Sequence, residues 1–403
     1  MASSQQFGRF LAWSGAVTVM GAAACAALVV AVDPYRLYGM PQRPGFNQVK
    51  TQPERYQKEI KLAAAQRSDS NVFIVGNSRA EIGLDPDDLA GPGMRPYNLA
   101  LAGTRIQVAR EQLEQLHRAR IHPRHLIVGA EFLDAPLDPA RPRPPAPPTV
   151  YPGPGAELAW RFDTLFSLDA LADAFKTVRQ QRNENASTMS ARGFNPLREY
   201  RQLAREEGYY ALFRQRATDY AKRFARLPRS LADADGRSPE FEQLRAVVAH
   251  GAGDGARVDV VIYPYHAQLM ALIDAAGMAP LFDQWRTRLA REIEAEQAAH
   301  PGVRITLWDF SGYGPYQCEP IPAKGDRRSD TAWYWEGGHF KAALGQRMLA
   351  RIGDQPQQDR AFGMVLDSAS LDANRARLGR ERAHCQATNG ALFSEAAALM
   401  PAR

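Results

Sequence analysis

Cysteine is scarce in this 403-residue chain: only Cys25, Cys318 and Cys385, with no CxxC or other metal-ligand spacing. That scarcity excludes a zinc ribbon or a dithiol redox motif. Lysine-rich blocks and aromatic-basic stripes are also missing; the net charge of +6 comes from arginines scattered among acids, so nucleic-acid binding is not expected. Neither an internal repeat nor a metal or nucleotide motif is apparent, and no cofactor is expected.

Long apolar runs are confined to one place. Residues 10–32 form 23 uncharged positions bounded by Arg9 and Asp33, enough for the roughly 20 apolar residues that cross a bilayer as a helix. A cleaved signal peptide has an apolar region of about 7 to 15 residues, whereas LVVAV continues past the small-residue cluster GAAACAA, so a retained anchor is expected. Cys25 faintly suggests a lipoprotein site, but Ala22 stands where a larger aliphatic residue is usual. With Arg9 the one flanking charge, the simplest arrangement is a short inside tail, residues 1–9, with the bulk of the chain outside. Cys318 and Cys385 either pair as a disulfide, if that compartment is oxidising, or remain two buried thiols.

The length suits two average domains, or one α/β domain with insertions. Residues 33–68 read as a juxtamembrane strap with a helix at 53–66, and a globular domain is expected over 69–355. Its first strand, 71–76, is followed by an amphipathic stretch in which Ile106, Ala109, Leu113 and Leu116 recur at helical intervals, then by a second strand at 125–132. Strand, helix, strand implies a parallel crossover. The proline-dense APLDPARPRPPAPPTVYPGPG predicts an extended surface segment. It opens an insertion at about 136–256, mostly helical and rich in arginine and tyrosine, read as a subdomain over the active face. The alternation resumes with RVDVVIYPYHAQL, a helix at 280–300, VRITLWDFSGYG and a closing helix at 341–352. The tail, 356–403, is unassigned, with Cys385 able to hold it to the domain.

Catalytic groups collect at the carboxyl ends of strands in open parallel sheets, and Ser78, Glu131, Tyr265 or His266, and Asp309 fall at or just past such ends. NVFIVGNSRAEIGLDP reads as a buried strand delivering Ser78 to a sharp turn. A serine there is commonly a turn or cap residue, but a nucleophilic one needs a base. YWEGGHF supplies His339, with Glu336 three residues before it. Trp333, Tyr334 and Trp335 are read as core or pocket walls.

The ordered set GNSRAEIGLDP, YNLALAGT, LIVGAEF, VVIYPYHAQL, LWDFSGYG and YWEGGHFKAALGQRML resembles a membrane-anchored branch of the SGNH (GDSL-like) hydrolase superfamily, including bacterial exopolysaccharide O-acetylation and D-alanylation proteins. The resemblance implies a flavodoxin-like SGNH three-layer α/β sandwich around a parallel sheet. It also implies a Ser78–His339–Glu336 triad and an oxyanion hole from the backbone amides of Ser78 and Gly103. Asn98 or Arg79 would complete that hole, unless Arg79 is structural and pairs with a nearby acid; His266 is either a satisfied histidine at a strand end or a group lining the substrate. Three departures stand out: Asn77 replaces an acid before the serine, Glu131 and Phe132 occupy the place of an oxyanion-binding asparagine, and Glu336 replaces aspartate, with Asp330 as a fallback acid. The implied activity is serine O-acyl transfer or ester hydrolysis on an acylated, exported or cell-envelope polysaccharide. The setting would be a single-pass protein of the bacterial inner membrane facing the periplasm, with a multispanning membrane acyltransferase as partner. The alternative is a non-catalytic SGNH-like glycan-binding or envelope-assembly scaffold.

Overall fold

The computed structural model describes residues 2–89, 91–140, 154–355 and 359–401. Four apolar segments and one short tyrosine-containing one form the parallel core of a mixed α/β fold: β1 (Val72–Val75), β2 (Pro96–Asn98), β3 (His125–Ala130), β4 (Arg257–Ile262) and β5 (Ile305–Asp309). A hairpin of β6 (Tyr334–Glu336) and β7 (His339–Phe340) stands apart, and β8 (Met364–Val365) closes the main sheet antiparallel to β5. The sheet order is β2-β1-β3-β4-β5-β8. Within it the chain turns in opposite directions from β1 to β2 and from β2 to β3, which leaves a switch point between β1 and β3 at their carboxyl ends. Both faces of the central strands are covered, which is why VFIV and HLIVGA are buried without alternation.

Helices Ile106–Arg118, Pro239–Gly253 and Ala279–Ala299 pack side by side in one layer. Elsewhere, helix Ala342–Ile352 lies against Ser78–Gly83. Their approach is so close that a Cβ on Gly345 would sit 1.7 Å from the Gly83 carbonyl oxygen. A bare backbone at Gly345 is therefore what lets the closing helix brace the short helix that begins at Ser78.

The proline-rich segment falls largely on 141–153, outside the described residues. The insertion beyond it divides in two rather than forming one subdomain over the active face. Helices Pro154–Phe166 and Leu168–Arg179 pack against the N-terminal helix, whereas Tyr209–Arg226 packs on β6 and on helix Ala267–Ala275. The split follows polarity: the first pair carries bare Leu158, Phe162, Phe166, Leu168 and Phe175, whereas the second buries Tyr209, Leu212, Phe213 and Phe224.

One helix, Ala2–Val32, includes a 28-residue stretch, Gln5–Val32, long and apolar enough to cross a membrane, and only 11% of its most apolar window is buried. It starts within the residues expected as a tail. Its last turns are rooted in the protein: Val29, Val32 and Tyr35 join Ile60, Ala170, Ala174 and Met189 in a small second core. The Lys50 ammonium donates to the Val32 carbonyl at 2.8 Å. The Asp33 carboxylate then accepts from the amides of Leu37 and Tyr38, which turns the chain away from the helix.

The C-terminal tail forms helices Leu371–Thr388 and Gly390–Leu399, and a Cys318–Cys385 disulfide ties it to the domain. Asn374 donates to Asp309 at 2.7 Å, and Arg286 pairs with the same carboxylate at 3.2 Å. Asp309, at the end of β5, thus anchors the tail instead of joining the other groups expected at strand ends.

Candidate active site

The run from β1 through Gly76 ends at Asn77, whose side-chain oxygen accepts from the Arg79 amide at 3.1 Å and so caps the helix that opens with Ser78. The other half comes from the β6–β7 hairpin. Gly337 and Gly338 make its turn, so Glu336 and His339 become opposed residues of two short strands. That pairing is the physical content of the three-residue spacing.

Ser78 Oγ lies 2.8 Å from His339 Nε2, and His339 Nδ1 is hydrogen-bonded to Glu336 Oε1. Glu336 is completely buried, and its other oxygen accepts from the Gly338 amide at 2.8 Å. Burial pushes this carboxyl up, but His339, the Gly338 amide and more distant Arg216 together hold it below the ordinary glutamate value. An ionised carboxylate can only accept, so Nδ1 carries the hydrogen and the Nε2 lone pair faces Ser78. Asp330, the fallback acid, is elsewhere: it is exposed and pairs with Lys341 at 2.7 Å.

Glu131 is buried beside this group and is turned inward. It takes hydrogen bonds from Arg79, from Asn77 Nδ2 at 2.9 Å, from Tyr265 Oη at 2.5 Å and from the Leu133 amide at 3.0 Å. Burial favours its neutral form, yet Arg79 and these donors hold it ionised, below its usual pKa. Arg79, lying over the Tyr265 ring and also donating to Tyr220 Oη at 3.0 Å, is the counter-charge of that network while still lining the cleft.

Two candidates for the cleft do not belong to it, and for His266 the alternative of a satisfied histidine at a strand end is the one that holds. Asn98 does not reach the cleft: its amide nitrogen donates to the carbonyls of Ala80 and Leu84 and its oxygen accepts from the Ala100 amide, so both ends of its side chain are engaged inside the fold. His266 is fully buried, bonded to the Glu319 carbonyl and accepting from the Gln268 amide, and burial pushes its pKa down to about 4. It is a neutral helix cap, not a substrate-lining group. The three aromatics Trp333, Tyr334 and Trp335 also stand outside the cleft lining.

Gly103 does line the cleft, with a left-handed φ of +71° and open space where a Cβ would stand. Its loop is held from behind by an ion pair that sequence reasoning missed. Glu81, in the Ser78 helix, accepts from the Ala102 amide at 2.8 Å and from fully buried Lys61 at 3.2 Å, while Lys61 also donates to the Ala100 carbonyl at 2.6 Å. Glu81 was in view within GNSRAEIG, but its partner on another helix was not.

The cleft above Ser78 and His339 has a volume of about 250 Å³. Besides the expected residues it is lined by Thr104, Arg105 and Asp134 and by Tyr220 and Arg223 from the insertion. Burial and the nearby Glu131 raise the Asp134 carboxyl to about 6, against the pull of Arg105 and Arg223. The arginine- and tyrosine-rich composition of the insertion was the signal for Tyr220 and Arg223, although nothing in their spacing singled them out.

Chemically, this is a hydroxyl, a base and an orienting acid in one hydrogen-bonded line, opening on a polar cleft. No family model matches the chain, and no curated protein matches it.

Proposed function

We propose that this chain is a membrane-anchored serine acyltransferase or esterase of SGNH type, with Ser78 as nucleophile, His339 as base and Glu336 as its orienting acid. The observation that carries the reading is the 2.8 Å approach of Ser78 Oγ to His339 Nε2 with Glu336 on the opposite ring nitrogen. In this reading Ser78 Oγ attacks the carbonyl carbon of an O-acyl group as its proton passes to His339 Nε2. The tetrahedral oxyanion takes hydrogen bonds from the amides of Ser78 and Gly103, each worth on the order of 3 kcal/mol in the transition state. Collapse breaks the bond to the leaving oxygen, which takes the proton from Nε2, and Ser78 is left as an ester. An acceptor hydroxyl then gives its proton to Nε2 as it attacks that ester, and collapse breaks the acyl–Oγ bond while Ser78 Oγ takes the proton back from Nε2; a sugar hydroxyl makes the enzyme a transferase, and water makes it an esterase.

The substrate, an acyl group (acetyl by the resemblance) on an exported or envelope polysaccharide, follows from the sequence resemblance, as does a multispanning acyltransferase as donor partner. The apolar helix supports anchoring, with the domain on the periplasmic side in this reading; the Cys318–Cys385 disulfide agrees with an oxidising compartment. A second reading, a non-catalytic scaffold, draws on Glu131 in place of an oxyanion donor. Against it, Glu131 is already surrounded by protein donors, Arg79, Asn77, Tyr265 and the Leu133 amide, which keep its charge compensated.

Peptide mass spectrometry after treatment with a fluorophosphonate separates the two. The enzyme reading expects an adduct on Ser78 that is lost in Ser78→Ala and His339→Ala. A folded protein that takes no adduct would move the assignment to the scaffold.

A further inference from the structure

At the opposite end of the sheet, three of the eight histidines gather around one carboxylate. His117 is in the last turn of helix Ile106–Arg118 and His122 is in the loop from that helix to β3; His250 is in the last turn of helix Pro239–Gly253, and Asp254 follows it on the way to β4. His117 Nδ1 and His122 Nδ1 lie 3.1 and 2.9 Å from Asp254 Oδ1, and His250 Nε2 lies 3.7 Å from Asp254 Oδ2. Among the described residues, His117, His250 and Asp254 are the one group of three such side chains whose donor atoms converge within 4.8 Å.

His117 and His122 are at hydrogen-bond distance from Asp254 Oδ1, but the third pair suits ligands better than a hydrogen bond. Asp254 Oδ2 and His250 Nε2 are both buried and neither has a hydrogen-bond partner, although they face each other. Their 3.7 Å separation is too long for a hydrogen bond. It is close to the roughly 3.3 Å between two ligands of a tetrahedral ion bound at about 2.0 to 2.1 Å. Both helices also end here, so the partial negative charge of two carboxyl termini falls on the same spot. Imidazole and carboxylate together favour a divalent transition metal over calcium or magnesium.

We infer that His117, His250 and Asp254 bind a divalent transition metal of the zinc type, with His122 bonded to the Asp254 carboxylate beside them. The ion clamps the two loops that lead into β3 and β4, neighbours in the sheet. It has a structural role, remote from Ser78.

The test uses the full chain in detergent, stripped with chelator, then titrated with zinc against a chromophoric competitor and desalted for metal analysis. Expected are about one tightly held zinc per chain and a higher melting temperature with zinc. Loss of a ligand should weaken binding at least tenfold, since changes merely behind a ligand cost about 10- to 100-fold. Asp254→Asn, His250→Ala and the exposed His117→Ala should all show it, while His384→Ala, on a remote exposed helix face, should not. Zinc that is not retained, or is retained equally by folded His117→Ala and Asp254→Asn, overturns the assignment.

An independent observation concerns the face beside the apolar helix. Leu158, Phe162, Phe166, Leu168 and Phe175 are between 46 and 83% exposed, on two helices packed against the root of Ala2–Val32. The N-terminal helix they pack against carries bare apolar side chains of its own, among them Phe10, Trp13, Val17 and Val19. Resting on the membrane-anchored reading, we propose that Pro154–Phe166 and Leu168–Arg179 lie in the bilayer interface with these side chains among the lipids. In nanodiscs, polarity-sensitive labels at Phe162→Cys and Val19→Cys, on a Cys25→Ser background, should both be quenched by brominated lipid. Quenching at 19 with iodide access at 162 leaves the anchor and overturns this proposal, freeing the face for a protein partner; no quenching at 19 overturns the anchor itself.

Discussion

The two ends of the sheet hold the same kinds of side chain in different order. At the carboxyl end, Glu336, His339 and Ser78 form a line in which the imidazole has one neighbour on each side. At the amino end, three imidazoles converge on Asp254. A line leaves the far nitrogen of the ring free to take a proton from a hydroxyl, which is the requirement of general-base catalysis. Convergence aims several lone pairs at one point, which is the requirement of a cation. Backbone origin explains the difference. A glycine-turned hairpin opposes acid and base as strand partners, whereas two helix ends crowd their side chains together.

The largest expected effect comes from breaking the line. Glu336→Gln should lower the fluorophosphonate labelling rate of Ser78 by on the order of 10⁴, the loss seen when a triad acid becomes an amide and the ring adopts the wrong tautomer. Stopped-time labelling followed by mass spectrometry measures it, and a rate within threefold of the parent would mean that Glu336 does not orient the base. In contrast, the zinc-site variant His117→Ala should label at the parental rate, because the two assemblies share no residue. The smallest effect is the sharpest control. His266→Ala removes a fully buried cap and should cost about 2 kcal/mol in chemical denaturation, yet the folded fraction should keep its labelling rate. A collapse of labelling in folded His266→Ala would return that histidine to the site.

Much of this was legible in the chain. The strand before Ser78 announced itself by unbroken apolar residues, and YWEGGHF put acid and base three residues apart, though the hairpin that opposes them was seen only in the fold. The parallel alternation was visible because crossover helices carry a clear period. What stayed hidden depended on partners distant in sequence. Asn98 looked like a donor for the cleft, but three backbone groups within the fold claim it. Glu131 looked like a charge in the wrong place until Arg79, Asn77 and Tyr265 were seen around it. The Asp254 cluster joins two local pairs, His117 with His122 and His250 with Asp254, that lie more than a hundred positions apart, and only the fold brings the pairs together.

The rooting of the apolar helix has a mechanical consequence. Val29 and Val32 are packed into the domain, and Lys50 closes on the last carbonyl of the helix, so no flexible tether separates the helix from the sheet. In the membrane-anchored reading the protein is a post and not a balloon on a string. Its cleft can swing around the membrane normal, but it stays at one height. A rigid attachment of this kind raises effective concentration for reactants delivered at that height and gives none to those delivered elsewhere. Substrate chains that thread past at the right level would be met repeatedly by the same serine, and those released into the open compartment would have to come back to it.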